Sequence, residues 1–272
     1  MHLLDHSFPS PQANLAWDEA LIEWADASVS EHAMTAEDAK SLEVLRLWEM
    51  PQPCVVLGRS SRIDQEVHVD RCREDGIPVL RRMSGGATIV AGPGCLMYSV
   101  LLSLDARPEC RSLDVAHRFV MERTRDGVVD ALRSQGSDAQ VEIRGICDLT
   151  LVDSTRGDQK ISGNSLRVKR HWLMYHGTLL LDMPLEWISR YLATPPKQPE
   201  YRERRSHDAF VASLEDLVPN VSQLRESLKP SLARVWGASD DWSKHAWHDL
   251  MPDEMERWLQ KRYLDPSWHT SR

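Results

Sequence analysis

Two segments of this chain combine residue types that suit work on an anion. One is Gly157-Asp158-Gln159-Lys160-Ile161-Ser162-Gly163-Asn164-Ser165, and the other is Arg81-Arg82-Met83-Ser84-Gly85-Gly86-Ala87-Thr88. Glycines let backbone N–H groups approach an anion closely, and a lysine framed by Ser, Gly and Asn can be held over the same anion as a point charge. The chemistry expected is that of a carboxylate or a phosphate. A plainer reading stands beside it: a tight glycine hairpin with solvent-facing arginines, and an ordinary strand lysine.

The elements that must hold these residues follow from periodicity. Asn14 through Trp24 places apolar residues at helical spacing behind an Asn that is expected to cap the helix. Val44–Glu49 and Cys54–Gly58, separated by Pro51-Gln52-Pro53, read as paired strands, and Val67–Gly76 reads as a short helix stopped by its glycine. Ile77–Arg82 is expected to be extended. Strands follow at 87–90 and 96–102 about the turn Gly92-Pro93-Gly94, which puts the glycine loop within a sheet. Leu113–Gln135 has the pattern of a long helix with one buried face. Strands at 141–143 and 148–152 lead through a polar turn to Gln159–Gly163, so Lys160 enters a strand just past a hairpin, and His176–Leu181 forms the next strand. The proline cluster 194–199 marks a surface excursion or linker, and tryptophan-rich helical packing follows it. The runs Arg202-Glu203-Arg204-Arg205 and Arg167-Val168-Lys169-Arg170 read as solvated faces, or as patches for an acidic partner.

Composition limits the options. The chain has 272 residues, an apolar fraction of 42%, 33 basic and 41 acidic residues and a net charge of −8, which fits a folded domain and argues against a general nucleic-acid binder. Five cysteines at irregular spacing suggest neither a disulfide framework nor a zinc site. No leader-like or membrane-spanning pattern is evident, and a cytoplasmic location is expected.

Taken in order, Asn14-Leu15-Ala16, Gly58-Arg59, Glu66-Val67, Gly76-Ile77-Pro78-Val79, Arg81-Arg82-x-Ser84-Gly85-Gly86, Cys147-Asp148-Leu149, Lys160-Ile161-Ser162-Gly163-Asn164 and His176-Gly177-Thr178-Leu179-Leu180-Leu181 resemble the lipoate–protein ligase A family, within the group of biotin protein ligases and octanoyltransferases. The resemblance covers roughly residues 10–215. It implies an α/β domain whose mixed sheet holds a tunnel for a medium-length acyl chain, with residues 1–215 catalytic and 216–272 a helical extension packed on the same domain. It also implies ATP and magnesium as cofactors, lipoate or octanoate as substrate, and transfer through an acyl-adenylate to a lysine of a lipoyl carrier domain. The carriers would be of the 2-oxoacid dehydrogenase E2 or glycine cleavage H protein type, and an accessory ligase subunit is an option.

By the same resemblance Lys160 matches the lysine that contacts the acyl carbonyl and phosphate, and Arg82 an arginine of the nucleotide and acyl site. Ala87, Thr88, Ile89 and Val90 match the segment lining the adenylate. Ser84, Gly85, Gly86, Ser162, Gly163 and His176 complete the expected binding set, and Asp148 is the candidate for holding magnesium or orienting Lys160. The chain departs from the family pattern at Ala91, Gly94-Cys95 and Cys147, where His, Gly-Asn and Asn are usual. Those departures keep two alternatives open. One is an ATP-independent octanoyl or lipoyl transferase using a cysteine or lysine site, with Cys147 or Cys95 as candidate thiol nucleophile. The other is a noncatalytic binder of lipoate or an acyl carrier.

Overall fold

The segment Cys95–Ser103 is apolar nearly throughout and buried at all nine positions, as expected of a central strand covered on both faces. A computed structural model of the chain describes residues 1–32, 34–245 and 247–271. Its strands in chain order are β1 (His2–Asp5), β2 (Val44–Glu49), β3 (Cys54–Leu57), β4 (Val79–Arg81), β5 (Ile89–Ala91), β6 (Cys95–Ser103), β7 (Val141–Arg144), β8 (Asp148–Leu151), β9 (Gln159–Val168), β10 (Trp172–Leu180) and β11 (Asp240–Asp241). Eight form one sheet in the order β11-β1-β2-β6-β10-β9-β8-β7, and three form a second in the order β4-β3-β5. The large sheet is parallel where β1 meets β11 and β2, and antiparallel from β2 to β7; in the small sheet β3 runs parallel to β4 and antiparallel to β5. The architecture is a mixed-sheet α/β domain with helices on the sheet.

One apolar cluster joins the helix Pro11–His32 and the small sheet to one face of the large sheet. The other cluster carries the helices Leu113–Ser134 and Val221–Trp236. Leu113–Ser134 buries Ala116, Val120, Met121, Thr124, Gly127, Val128, Ala131 and Leu132, three and four apart, so a single stripe faces inward. Gly127 lets the two helices cross closely, since a Cβ there would stand 2.9 Å from Leu232 Cδ2. Val221–Trp236 is capped by the Asn220 side chain and ends on Gly237 at φ +61°. Trp236, Trp242, Trp247 and Trp258 are buried packing groups.

Four sequence expectations change. Asn14 lies inside the helix Pro11–His32; the Ser10 hydroxyl accepts from Ala13 N (3.1 Å) in the capping position, and Asn14 Oδ1 instead accepts from the buried Arg46 (2.7 Å). β2 and β3 are not partners, because the turn between them carries the chain from the large sheet to the small one. The glycine loop is not a hairpin within a sheet: it spans from β4 to β5 across the intervening β3. Finally, the run 202–205 is not simply solvated. Arg202 is buried, and Arg205 donates to the carbonyls of Asp158 (2.9 Å) and Tyr201 (2.8 Å).

Candidate active site

A bulge between β8 and β9 sets the direction of the key lysine. Asp148 pairs with Gly163 and Leu149 with Ser162, but Thr150 pairs with Lys160, so Ile161 is the extra residue. Lys160 is fixed on its other side by Ala212 N, which donates to its carbonyl (3.0 Å). From there its side chain crosses Gly163 and reaches Asp148 Oδ1, with Nζ 2.8 Å away. A Cβ on Gly163 would lie 2.7 Å from Nζ and 2.8 Å from Cε, so the lysine's path depends on the bare α-carbon. The second Asp148 oxygen accepts from Tyr201 Oη (2.7 Å). Both oxygens are thus engaged, and no group of three or more metal-ligating side chains occurs among the described residues.

Lys160 opens into a cavity between the two sheets. Its walls are apolar where Leu15, Trp48, Val56, Met97, Leu180, Ile188, Phe210 and Val211 contribute, and polar where Arg82, Lys160, Lys197, Arg202, His176 and His207 do. Glu66 is the only carboxylate on the wall among the described residues. It accepts from Thr88 N (2.9 Å), Thr88 Oγ1 (2.7 Å) and Ser61 Oγ (3.0 Å), and so pins the start of β5. A cavity whose wall combines apolar side chains with several cations suits an amphiphilic acid with a hydrocarbon body.

Arg82 is buried and organises the glycine loop from inside. It donates to Val56 O (3.1 Å), Ser84 Oγ (3.1 Å), Ala87 O (3.0 Å) and Gly85 O. Burial pushes its guanidinium down to about 10, opposed by Glu66, so it remains a cation near neutral pH. Because its partners are carbonyls and a hydroxyl rather than a carboxylate, its field is available to an anion in the cavity. Gly86 sits at φ +85°, and its carbonyl passes so close to Gly58 that a Cβ on Gly58 would be 2.0 Å from it. Arg81 braces the loop from outside. Its backbone N–H donates to His269 Nδ1 (2.9 Å), and its guanidinium donates to Gly58 O and Ser61 O (2.8 Å each).

His176 projects from β10 toward the loop, with Nε2 2.5 Å from Ser84 Oγ and Nδ1 3.8 Å from Asp18 Oδ2. Ser84 Oγ also accepts from Arg82 Nε (3.1 Å), so the hydroxyl links the imidazole to the guanidinium. Asp18 is buried against Arg46 (2.7 Å) and Ser99 (2.5 Å); burial pushes its carboxyl up, but Arg46 and the nearby His176 hold it below the usual range. The loop, β10 and the first helix are thereby joined.

Of the residues singled out in the sequence, Arg82, Ala87, Thr88, Ile89, Val90, Lys160, Ser162, Gly163 and His176 line the cavity together. Ser84, Gly85 and Gly86 shape the loop behind the lining, and Asp148 stands behind Lys160. Cys147 is adjacent, its thiol 3.1 Å from Asn164 O. Burial, reinforced by Asp148, pushes that thiol up to about 11 despite Lys160, which is the wrong direction for a nucleophile at neutral pH. Cys95 is fully buried in β6, and burial raises it further.

Sequence reasoning missed Asp18, Lys197, Arg202 and His207. Asp18 left a trace: it lies four residues from Asn14 on the apolar face of its helix, where an unpaired charge would be costly. The others come from a proline-interrupted stretch with no periodic signal. The proline cluster itself is cavity wall, through Pro195 and Pro199.

Similarity to known proteins agrees with this geometry. The chain is similar to a putative lipoate-protein ligase A of Schizosaccharomyces pombe, 32% identical over 143 residues that make up 53% of this chain and 35% of that protein. The matches span between 35% and 64% of the length of the curated relatives. Among solved structures, the fold is similar to a bipartite lipoate protein ligase of Thermoplasma acidophilum studied with its E2 lipoyl domain (TM-score 0.74, 20% identity, 99% of this chain and 95% of that one). It is also similar to lipoate-protein ligase A bound with ATP (TM-score 0.70, 21% identity, 99% of this chain and 98% of that one). The family described as the lipoyl protein ligase A/B catalytic domain matches residues 10–233, and the chain belongs to that family.

Proposed function

We propose that this protein attaches lipoate, or octanoate, to a lysine of a lipoyl carrier domain by way of an acyl-adenylate. The observation that carries the reading is that Lys160 and the buried Arg82 share the wall of one largely apolar cavity. The acyl chain would lie along the apolar wall, with its carboxylate at the cations. The carboxylate oxygen bonds to the α-phosphorus of ATP as pyrophosphate leaves. The carrier amine then attacks the carbonyl and AMP departs. Lys160 and Arg82 offset the repulsion between the two anions, and they act most strongly where charge concentrates in the transition state.

The cationic wall suits a nucleotide phosphate, and the kinship with lipoate-protein ligase A bound with ATP supports ATP as co-substrate. Magnesium would be held mainly by the phosphates, since Asp148, behind the wall, is engaged as counterion to Lys160, and Glu66, the one wall carboxylate among the described residues, is engaged with Thr88 and Ser61. The ligase of Thermoplasma acidophilum studied with its E2 lipoyl domain supports a lipoyl domain as acceptor. Residues 1–215 would carry the catalysis, with 216–272 bracing it. The thiol-based transferase has less support, given the raised Cys147. The deciding experiment incubates the protein with apo-carrier and each acyl acid, with and without ATP, and follows carrier mass and pyrophosphate. Acylation that needs ATP and releases pyrophosphate is the expected result; acylation without ATP, or none at all, overturns it.

A further inference from the structure

Among the described residues Ile146, at the tip of the β7–β8 hairpin, is the most exposed large apolar side chain, at 73%. A lone exposed isoleucine is ordinary on a protein surface. This one differs because both its chain neighbours are tied to the cavity wall. Gly145, at φ +57°, packs so that a Cβ would stand 3.5 Å from Pro199 and from the Tyr201 ring, and Pro199 lines the cavity. On the other side the Cys147 carbonyl accepts from Asn164 Nδ2 (2.8 Å), and the Cys147 thiol donates to Asn164 O. Asn164 also lines the cavity. The tip therefore lies beside residues of the cavity wall, with the Ile146 side chain turned to solvent.

We propose that Ile146 is an apolar anchor for the carrier domain, seated next to the acceptor lysine when that lysine enters the cavity. The proposal rests on the ligase reading. A lysine side chain is only four methylenes long, so an amine that reaches a carbonyl held near Lys160 brings its own backbone to the rim. Residues flanking it then lie over the β7–β8 tip. An exposed apolar group at that point is desolvated on docking, and a short branched side chain loses little conformational entropy there. Lys197, exposed on the same rim next to Pro199 and with no ion-pair partner among the described residues, adds a positive charge suited to an acidic group beside the carrier turn.

The test compares wild type, Ile146→Asp and Ile146→Leu in two assays. One titrates the fluorescently labelled apo form of a 2-oxoacid dehydrogenase E2 lipoyl domain and reads anisotropy. The other measures lipoate-dependent exchange between ATP and pyrophosphate, with no carrier present. Ile146→Asp is expected to weaken carrier binding by about tenfold, a typical loss for a central apolar contact. Ile146→Leu should bind as wild type does, and all three should exchange equally. Carrier binding by Ile146→Asp equal to wild type overturns the proposal, as does a wild-type protein that does not bind the domain. Loss of exchange in Ile146→Asp also overturns it, because the residue would then act on the cavity and not on docking. Absence of exchange in the wild type counts against the ligase reading alone, since the binding comparison still decides the role of Ile146.

Discussion

Lys160 and Asp148 meet across the bare α-carbon of Gly163, with Nζ 2.8 Å from Oδ1. The ion pair aims the ammonium and the glycine gives it a path. Asp148 is nearly buried, and Tyr201 holds its other oxygen, so the carboxylate has little freedom to follow a displaced lysine.

Gly163→Ala tests that dependence. The added methyl would meet the flexible end of Lys160 rather than backbone, so the protein is expected to fold with a melting temperature close to wild type. Acyl transfer should fall by about a hundredfold, the scale on which small misplacement of a positioned group costs rate. Thermal melts and carrier mass spectra on the same preparation check both halves; an alanine variant with wild-type transfer sinks the idea.

Lys160→Met removes the charge outright. The expected outcome is a folded protein without transfer activity. It should be less stable by about 1–3 kcal/mol, because the Asp148 carboxylate loses its charged partner. Adding Asp148→Asn should restore stability without restoring transfer. Urea denaturation of the single and double variants separates these effects, and recovery of activity in the double variant would contradict the assigned role of the lysine.

How much of this was legible in sequence depends on whether a feature is local. The helix Leu113–Ser134 could be read because its buried positions recur at three and four, and β9 with Lys160 because a polar turn precedes it. The surroundings of the glycine loop could not, since β3 pairs with β4 in parallel and separates it from β5. No local pattern reports such a crossover. Asp18 stands out in sequence only as a charge on an apolar helix face, and its partners Arg46 and His176 come from distant strands that no local pattern links to it. Arg202 and Arg205 read as solvated until the backbone folds carbonyls around them.

His245 gives the stability a pH dependence. Burial pushes its imidazole down to about 4, and the geometry agrees, since Nδ1 accepts from Trp247 N (3.1 Å) and only a neutral ring can do so. The unfolded chain, with an ordinary value near 6.5, binds the proton more readily. The contribution is therefore fully present above about pH 6.5 and is lost as pH falls toward 4. Across that window it amounts to about 3 kcal/mol. Urea melts between pH 4 and 8 should show that decline, and it should flatten in His245→Gln. An unchanged slope in the variant would assign the decline to other groups.

Cys147→Ser addresses the thiol. Because the group is pushed up to about 11, it is overwhelmingly protonated at pH 7.5. A serine hydroxyl can still donate to Asn164 O. Transfer at the wild-type rate, within about twofold, is expected, together with slow alkylation of the native cysteine by iodoacetamide. Loss of transfer with lipoate binding retained would revive the nucleophile.

Gly85 and Gly86 are adjacent but not equivalent. A Cβ on Gly85 meets nothing within 4 Å, whereas Gly86 sits at φ +85° and a Cβ there would lie 2.9 Å from Arg82 Nη2. Gly85→Ala should therefore fold and bind normally. Gly86→Ala strains the backbone by about 1–2 kcal/mol, and it presses on the guanidinium that organises the loop and faces the cavity. Its KM for the acyl acid should rise by about tenfold or more, while Gly85→Ala stays near wild type. Steady-state kinetics with lipoate as varied substrate make the comparison. Equal behaviour of the two variants would mean that the Arg82–Gly86 contact does not govern how the acid is held.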